Sequence, residues 1–207
     1  MAAPYLTIDD VIEHETEARR SRFICALAPV ASEPQARAFI AERRALYGDA
    51  SHNCTAYVIG SGIQRSDDDG EPGGTAGTPM LDVLTRRGFA DVVAVVTRYF
   101  GGVLLGAGGL VRAYGGAVAE TLDRVEPVRM TPARLVTVTV DHALAGRLES
   151  DLRASPYALR GVDYGAEVAF EVAVAQERLG AFGGWVATAT SGRAGVRSGE
   201  EIHVREP

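Results

Sequence analysis

The sequence predicts an α+β (mixed α/β) protein of two domains, and three observations support this prediction. Residues 91–97, DVVAVVT, are small and β-branched apolar residues without a turn former, which is typical of a strand buried on both faces. A glycine-rich segment and a helical pattern follow that strand directly. Beyond residues 126–132, a segment with two prolines that we interpret as a linker, the pattern changes to separate strands and helices. We therefore place one domain in residues 1–128 and a second in residues 133–207.

The composition is that of a globular chain without a membrane segment. Of its 207 residues, 46% are hydrophobic and 23% are charged, a balance that can bury a core. No apolar run approaches the roughly 20 residues that a membrane-spanning helix needs, and the N-terminus lacks the basic-then-apolar pattern of a secretion signal. Two cysteines, Cys25 and Cys54, are too few for a disulfide framework or a four-ligand zinc site. We expect a cytoplasmic protein without a membrane partner.

The chain contains no lysine, because all 21 basic residues are arginine. Schiff-base catalysis and a phosphate-binding P-loop are therefore excluded, since both require a lysine. The segment that starts at Gly106 lacks the third glycine of a dinucleotide-binding fingerprint, so we expect no cofactor. The net charge of −6 argues against strong non-specific binding of nucleic acid, and any such contact should be local.

The first domain is predicted to open with a hairpin and a helix. Residues 13–18 and 23–30 can pair as two strands, with residues 19–22 near the turn. Ser32 is a favoured N-cap residue, and a proline in the first turn suits a helix start. The pattern therefore predicts a helix over residues 32–46.

A strand, a long loop and a short helix come next. The apolar residues 54–60, CTAYVIG, predict a second strand. Residues 61–79 hold five glycines, three consecutive aspartates and almost no large apolar residue, so we predict a long functional or mobile loop. Thr78 and Pro79 then open a short helix. After the strand at residues 91–97, the residues that follow Gly109 predict the last helix of this domain.

The second domain has the element order β-α-β-β-α-β. This order is that of the ferredoxin-like arrangement, and it follows here from periodicity and turn residues. The predicted strands are residues 135–140, 157–164, 166–174 and 195–206, and the predicted helices are residues 142–155 and 176–190.

The strand-to-helix junction of the first domain is a candidate phosphate site. Arg98 ends the buried strand, Arg112 lies in the first turn of the next helix, and arginine binds phosphate through its planar donor fork. The free N–H groups of Gly108 to Leu110 would complete the site at the helix N-terminus. The alternative is that Arg98 and Arg112 pair with the acids of residues 67–71 and fix that loop.

Three aromatic residues lie beside this junction. Tyr99, Phe100 and Tyr114 could stack on the bases of single-stranded RNA. The alternative is that they belong to the core, as aromatic residues at strand ends often do. Tyr99 is the preferred stacking residue, because tyrosine tolerates a wet edge.

The acidic loop and a neighbouring histidine–cysteine pair suggest two catalytic hypotheses. Clustered carboxylates in residues 67–71 could bind Mg²⁺ or Ca²⁺, but their spacing is not that of a calcium loop. We therefore assign no metal and prefer a charged loop or pairs with arginine. His52 and Cys54 lie two apart on a strand edge and should share a face. A catalytic pair would need contact and a third orienting group, so we prefer a buried thiol and a loop-anchoring histidine.

Two motifs resemble those of the IMPACT/YigZ family. Residues 69–79, DGEPGGTAGTP, are similar to its DGEP-x-GTAG-x-P signature. Residues 98–110 are similar to its arginine–aromatic–aromatic–Gly–Gly signature, which continues to a Leu-Gly and a Gly-Gly-Leu. His52 and Cys54 fall where the family has a His-x-Cys pair. The strong part of the resemblance covers residues 52–114.

The resemblance implies folds for both domains and a role in translation. The first domain should have the left-handed βαβ fold of the second domain of ribosomal protein S5. The second should resemble a ferredoxin-like domain of elongation factor G. The role implied acts through RNA, the ribosome or a protein partner. Eukaryotic members bind an activator of the amino-acid-starvation kinase, and no settled enzyme activity comes with the family.

Taken together, these observations predict a regulatory binding protein of translation or stress, with RNA or the ribosome as its partner and no assigned catalytic residue. The 65–77 loop would close over the ligand. Two alternatives stay open: a protein-interaction adaptor that uses the same surface, and a metal-dependent hydrolase that uses the 67–71 acids with His52. The predicted binding residues are Arg98, Tyr99, Gly101, Gly102, Gly106, Gly108, Gly109, Arg112, Tyr114, Arg65, Asp69, Glu71, Thr75 and His52.

Overall fold

An antiparallel five-stranded sheet organises residues 5–129, which form the first of two compact units. The computed structural model describes residues 3–60 and 62–206. The elements of the first unit are β1 (Tyr5–Thr7), β2 (Ile12–Ala18), β3 (Ser21–Pro29), α1 (Glu33–Leu46), β4 (His52–Ile59), β5 (Ile63–Asp67), α2 (Gly77–Arg86), β6 (Val92–Tyr99) and α3 (Ala107–Leu122). The strand order in the sheet is β2-β3-β6-β4-β5, and all four neighbouring pairs are antiparallel.

The central strand β6 is buried on both faces, as its apolar run predicts. Val92, Ala94 and Val96 pack into a core with α2 and α3. Val93 and Val95 point to the opposite face and pack into a core with α1. The first unit therefore has three layers, with α1 on one side of the sheet and α2 with α3 on the other.

The segment predicted as one long loop, residues 61–79, contains a strand. Residues 63–67 form β5, whose register with β4 runs from Ile59 opposite Ile63 to Thr55 opposite Asp67. No apolar pattern marks this strand in the sequence, because β5 is an edge strand and almost all its side chains are exposed and polar. The helix that follows begins at Gly77, so the true loop spans residues 68–76.

The start of α3 differs from the prediction, whereas the start of α1 agrees with it. Helix α3 begins at Ala107 with Gly106 as N-cap, so Gly108 and Gly109 lie inside its first turn rather than before it. Ser32 occupies the N-cap position of α1 as predicted, but its side chain makes no capping hydrogen bond.

Residues 130–206, with residues 3–4, form the second unit. Its elements are β7 (Val128–Val140), α4 (His142–Arg153), β8 (Ala158–Tyr164), β9 (Val168–Ala175), a 3₁₀ turn (Gln176–Arg178), α5 (Leu179–Thr190) and β10 (Gly195–Arg205). Strand β10 pairs with β7, β7 with β9 and β9 with β8, all antiparallel. The predicted β-α-β-β-α-β order and the α+β class are therefore confirmed. The likeness to ribosomal protein S5 and to elongation factor G stays a prediction.

The segment interpreted as a linker, residues 126–132, is mostly strand. Strand β7 begins at Val128, and Thr131 and Pro132 pair with Val204 and His203 of β10. The two prolines are typical of a linker. Residues 130–132 nevertheless pair with β10, about seventy residues later in the chain, and this pairing makes them part of a strand. Across the described part of the chain, no helix combines the length and the apolar character needed to cross a membrane.

Candidate binding site

Asp68 ties the 68–76 loop to the start of α2. Its carboxylate accepts hydrogen bonds from the N–H groups of Gly74, Ala76 and Gly77, at 2.7, 3.0 and 2.7 Å. Burial by itself raises the pKa of Asp68, but these donors outweigh it and hold that pKa below its ordinary value. A negative charge is also favourable at the first turn of a helix. Asp68 is therefore a structural anion of the loop.

The two aspartates on either side of Asp68 pair with one arginine. Arg44 Nη2 lies 3.1 Å from Asp67 Oδ2 and 3.2 Å from Asp69 Oδ1. The Asp69 carboxylate also accepts the Asn53 N–H at 2.6 Å, which binds the loop to β4. Within the described residues, no three His, Cys, Asp or Glu side chains are grouped so that they could hold a metal ion. The hydrolase hypothesis needed these acids to face one ion, whereas Asp67 and Asp69 pair with Arg44 and Asp68 accepts backbone N–H bonds.

Glu71, the last acid of the loop, belongs to a buried polar cluster. Its Oε1 accepts hydrogen bonds from Arg98 Nη1 at 2.6 Å and from the Tyr114 hydroxyl at 2.7 Å. The side chains of Arg98 and Glu71 are only 7% and 3% exposed, and Tyr114 is fully buried. Burial, with contributions from Cys54 and Glu71, raises the pKa of Tyr114 far above its ordinary value.

This cluster corrects two of the predicted roles. Arg98 cannot hold a surface phosphate, because its guanidinium is paired with Glu71 inside the protein. The alternative interpretation, in which Arg98 pairs with an acid of the loop, agrees with this contact. Tyr114 cannot stack on a base, since its ring packs edge-on against Phe23 at 5.2 Å between centroids. The Arg98 guanidinium also lies 5.5 Å from the centre of the Phe100 ring, which covers it.

His52 and Cys54 both contact the backbone of the acidic loop. His52 Nδ1 lies 2.8 Å from the carbonyl oxygen of Asp69, and the Cys54 thiol donates to the carbonyl oxygen of Asp68 at 3.0 Å. Burial raises the pKa of Cys54 to about 12, so the thiol stays protonated at neutral pH and is a poor nucleophile. The two residues anchor the loop, and the geometry does not support a catalytic pair.

Thr75 closes the loop from within. Its hydroxyl and its N–H both donate to the carbonyl oxygen of Pro72, at 2.6 and 3.0 Å. Asp69, Glu71 and His52 likewise bond to other parts of the protein. The residues of this loop that were predicted to bind a ligand are therefore already paired within the protein. The loop is therefore fixed to the sheet and to α2, and the hypothesis that it closes over a ligand is not supported.

The glycine-rich segment before α3 has structural reasons for its glycines. At Gly101 a Cβ atom would lie 2.7 Å from the Ser21 nitrogen and closer still to the Arg20 carbonyl, so the backbones touch there. Gly102 and Gly106 have φ values of +82° and +72°, a region that L side chains rarely adopt. The loop can therefore lie directly against the turn between β2 and β3.

We expect Gly101→Ala to lower the free energy of unfolding by about 1–3 kcal/mol, because the added methyl group meets backbone that cannot move independently. The measurement is urea unfolding monitored by circular dichroism. Gly73→Ala is the matched control, since a Cβ atom there meets nothing within 4 Å. Equal stabilities of the two variants would contradict the close approach of the loop and the turn.

The proposed anion site at the start of α3 is only partly present. The N–H groups of Gly109 and Leu110 already bond to the carbonyl oxygen of Gly106, at 3.0 and 2.9 Å, so they are not free. Arg112 is exposed on the first turns of α3, and its guanidinium makes no hydrogen bond or ion pair to any residue that the structure describes.

The turn between β2 and β3 contributes arginines that were not among the residues predicted to form the binding site. Arg19 Nη1 donates to the carbonyl oxygen of Leu104 at 3.1 Å, and the Arg20 backbone touches Gly101. Arg19 and Arg112 both line a groove of about 280 Å³ between β2 and α3. The feature of the sequence that could have indicated this part of the site is the presence of three arginines within residues 19–22.

Exposed apolar side chains surround these arginines. Leu104 is 80% exposed and Phe100 is 49% exposed, and Val103 and Val111 are also exposed. No acidic residue occurs between Asp91 and Glu120. We define the glycine-loop surface as Arg19, Arg20, Phe100, Val103, Leu104, Val111 and Arg112.

Tyr99 and Arg65 lie in different surroundings. The Tyr99 hydroxyl donates to Asp49 Oδ1 at 2.7 Å, a bond that raises the pKa of Tyr99, and Arg22 lies 5.5 Å from the centre of its ring. Arg65 is exposed on β5 opposite Tyr57 of β4. Since β5 and β2 are the two opposite edges of the sheet, Arg65 is not part of the glycine-loop surface.

Comparison with known proteins assigns both parts of the chain. Residues 19–122 match the Impact N-terminal domain, and residues 138–193 match a domain of unknown function, DUF1949. The chain belongs to the IMPACT family. The IMPACT family match covers every residue of the glycine-loop surface and the whole 68–76 loop.

Two bacterial IMPACT family members match over nearly the full length, and a vertebrate protein matches over about half of this chain. IMPACT family member YvyE of Bacillus subtilis (strain 168) is 43% identical over 208 residues, which cover 100% of this chain and 96% of the relative. IMPACT family member YigZ of Escherichia coli (strain K12) is 37% identical over 205 residues, 97% of each chain. Protein IMPACT of Xenopus laevis is 37% identical over 107 residues, 48% of this chain and 34% of that protein.

A solved structure of a hypothetical protein has a similar fold. The match has a TM-score of 0.74 and 35% sequence identity, and it covers 97% of this chain and 99% of that one. IMPACT family membership supports a regulatory, translation-related role at the level of the family.

Proposed function

We propose that this chain is a cytoplasmic regulatory protein of translation that contacts RNA or the ribosome through the glycine-loop surface. One observation carries the proposal: arginines that have no acidic partner among the described residues stand beside exposed apolar residues, in a chain whose net charge is −6. Such a local basic surface is what binding to phosphates requires, because the chain as a whole would repel them.

The arginines of this surface can accept a new anionic partner. Neither Arg20 nor Arg112 has a hydrogen bond or an ion pair to another described side chain, so binding would break no existing pair. Guanidinium groups bind phosphate oxygens with two parallel hydrogen bonds. Glu17 and Glu120 line the far part of the groove between β2 and α3, so we place the phosphate contacts on the loop side of Arg112.

The apolar residues suit a partner that offers more than phosphates. The exposed ring of Phe100 can stack on an unpaired base, an interaction of about 1–3 kcal/mol per base. The aliphatic side chains of Val103, Leu104 and Val111 cannot pair with phosphates and suit a protein surface. A ribosome presents both RNA and protein, which makes it a better partner than free RNA.

We expect Arg20→Gln/Arg112→Gln to weaken binding to ribosomes and to reduce the dependence of the binding constant on salt. Each lost phosphate contact lowers the slope of log K against log salt concentration by about one. The measurement is cosedimentation with ribosomes and with ribosomal subunits, from about 50 to 200 mM salt.

The matched control is Arg86→Gln/Arg147→Gln. Both arginines are exposed on helices and make only distant i,i+4 pairs, at 3.5 and 3.8 Å, so the net charge changes equally. The control should bind as the parent protein does. Salt-dependent binding that is unchanged in Arg20→Gln/Arg112→Gln would contradict the proposed surface, and the absence of ribosome binding in the parent protein would contradict the function.

A second candidate function, a protein-interaction adaptor, is favoured by the exposure of Leu104. Leu104 is 80% exposed and belongs to the exposed apolar residues of the glycine-loop surface, and a group of such residues is typical of a docking surface. An adaptor would bind a partner in the presence of ribonuclease. Leu104→Ser would abolish that binding, whereas Arg20→Gln/Arg112→Gln would have little effect.

A further inference from the structure

A second groove lies on the α1 face of the first unit. It has a volume of about 380 Å³ and is bounded by α1 on one side and by the edge strand β5 on the other. It exists because α1 covers the central strands of the sheet, as the packing of Phe39 and Ile40 against Val93 and Val95 indicates. On this face α1 leaves the outer part of β5 uncovered, whereas α2 packs against β5 from the other face.

The walls of this groove carry guanidinium groups from two elements. Arg37 and Arg44 come from α1, and Arg65 comes from β5. Arg37 and Arg44 are seven residues apart, which places them on one helix face about 10 Å apart along the axis. Arg65 stands opposite Tyr57 in the register of β5 with β4, so its side chain starts on the same face of the sheet.

The space between the arginines is partly apolar. Ile40 and Ala41 follow Arg37 at i+3 and i+4, so they form the helix wall between the two arginines of α1. Tyr57 contributes to the floor, and its hydroxyl is occupied by a hydrogen bond to Glu33 at 2.7 Å. A ligand of this groove therefore meets an apolar body and charged ends.

The three arginines differ in how many of their hydrogen-bond donors already have a partner. Arg44 pairs with Asp67 and Asp69, but its Nε is buried without a hydrogen-bond partner in the described structure. Arg37 has a distant pair with Glu33, at 3.7 Å, and it also lies close enough to the Tyr57 hydroxyl to lower the pKa of Tyr57, although burial outweighs this effect. Arg65 donates from Nη1 to the carbonyl oxygen of Gln64, and its other donors make no hydrogen bond to the residues that the structure describes.

We propose that this groove binds a small organic oxyanion, a phosphate or carboxylate group attached to a compact apolar or aromatic body. Arg37 and Arg65 hold the oxyanion from opposite walls, and the body lies over Ile40 and Tyr57. One anionic group is the expected number, because Asp67, which also lines the groove, and Asp69 more than neutralise Arg44 and leave Arg37 and Arg65 for the ligand. This site lies on the α1 face, and it does not depend on the proposed binding of the ribosome.

The test is isothermal titration calorimetry of the full chain with defined probes. Adenosine 5′-monophosphate and benzoate represent the phosphate and carboxylate sources, inorganic phosphate lacks the body, and adenosine lacks the charge. We expect saturable binding of at least one of the first two probes, with inorganic phosphate and adenosine at least tenfold weaker.

Variants then locate the site. Arg37→Gln/Arg65→Gln should weaken binding of the preferred probe at least tenfold. The matched control is Arg147→Gln/Arg160→Gln, which removes one helix arginine with a similar i,i+4 pair, at 3.8 Å, and one exposed arginine from the strand β8. The control should leave the affinity unchanged, and circular dichroism verifies that all variants are folded.

Two results would overturn the proposal. The first is the absence of saturable binding for every probe at roughly millimolar concentration. The second is an equal affinity of Arg37→Gln/Arg65→Gln and the parent protein. Ribosome binding, which the Arg20→Gln/Arg112→Gln variant tests, should be unaffected by Arg37→Gln/Arg65→Gln, so either proposal can fail without the other.

Discussion

Replacing Arg98 with methionine is expected to lower the free energy of unfolding by about 3–5 kcal/mol, because it leaves the carboxylate of Glu71 buried without its cation. Glu71 keeps the hydrogen bond from the Tyr114 hydroxyl, and His52 Nε2 lies 3.9 Å from its Oε1, but neither replaces the close charged pair with Arg98. Methionine has a similar length and no charge, so the packing changes little. The measurement is urea unfolding at neutral pH, compared with the parent protein.

The control for Arg98→Met is Arg22→Gln. Arg22 makes a two-bond pair with Glu15 at 2.9 and 2.8 Å, but both side chains are about half exposed. An exposed pair of this kind contributes about 0–1 kcal/mol. The double variant Arg98→Met/Glu71→Gln should be less destabilised than the two single changes added together, because they remove one interaction. A cost for Arg98→Met as small as that for Arg22→Gln would show that the Glu71 site admits water.

The second large effect is expected for Asp68→Asn, which should lower the free energy of unfolding by about 2–3 kcal/mol at neutral pH. The Asp68 carboxylate accepts three backbone N–H bonds, from Gly74, Ala76 and Gly77. An asparagine presents one acceptor oxygen and an NH₂ group, so at least one of the three N–H donors loses its partner. The loop should then separate from the start of α2, which hydrogen exchange of Gly74 and Gly77 would detect.

The contribution of Asp68 should depend on pH in a defined direction. Since the folded protein holds the pKa of Asp68 below its ordinary value, this stabilisation is fully present above the unfolded pKa of about 3.9. It is lost as the pH falls through the lower folded pKa. The difference in stability between the parent protein and Asp68→Asn should therefore shrink below about pH 4.

Asp163→Asn serves as the control for this series, because Asp163 is exposed and has no hydrogen bond or ion pair to other residues that the structure describes. Its effect on stability should be small at every pH. A difference between the parent protein and Asp68→Asn that is constant from neutral pH down to about pH 3 would count against the proposed role of the Asp68 charge.

Both expectations concern the same property, the attachment of the 68–76 loop to the sheet. Glu71 joins the loop to β6 and α3 through Arg98 and Tyr114, and Asp68 joins it to α2. The Arg98 guanidinium in turn lies under the Phe100 ring of the glycine-loop surface. A fixed loop therefore supports a preformed surface, and a preformed surface binds without the entropic cost of ordering.

Local patterns in the sequence were sufficient for most of the fold. The apolar run at residues 91–97 predicts a doubly buried strand, and β6 is buried on both faces. The alternation and the turn residues after residue 133 predict the β-α-β-β-α-β order, because these signals depend on neighbours in the chain. The motifs in residues 69–79 and 98–110 indicate the IMPACT family, which the matched domains confirm.

Only the tertiary structure decided which residues of the site are exposed and which are paired. The sequence places Arg98 and Tyr114 next to a glycine-rich segment, but it does not show that both converge on Glu71 in the core. Nor does it show that Arg19 contacts Leu104, 85 residues later. An arginine suits a phosphate or a carboxylate equally well, so its role depends on which partner the strand pairing brings near it. That pairing is long-range, and local sequence patterns do not contain it.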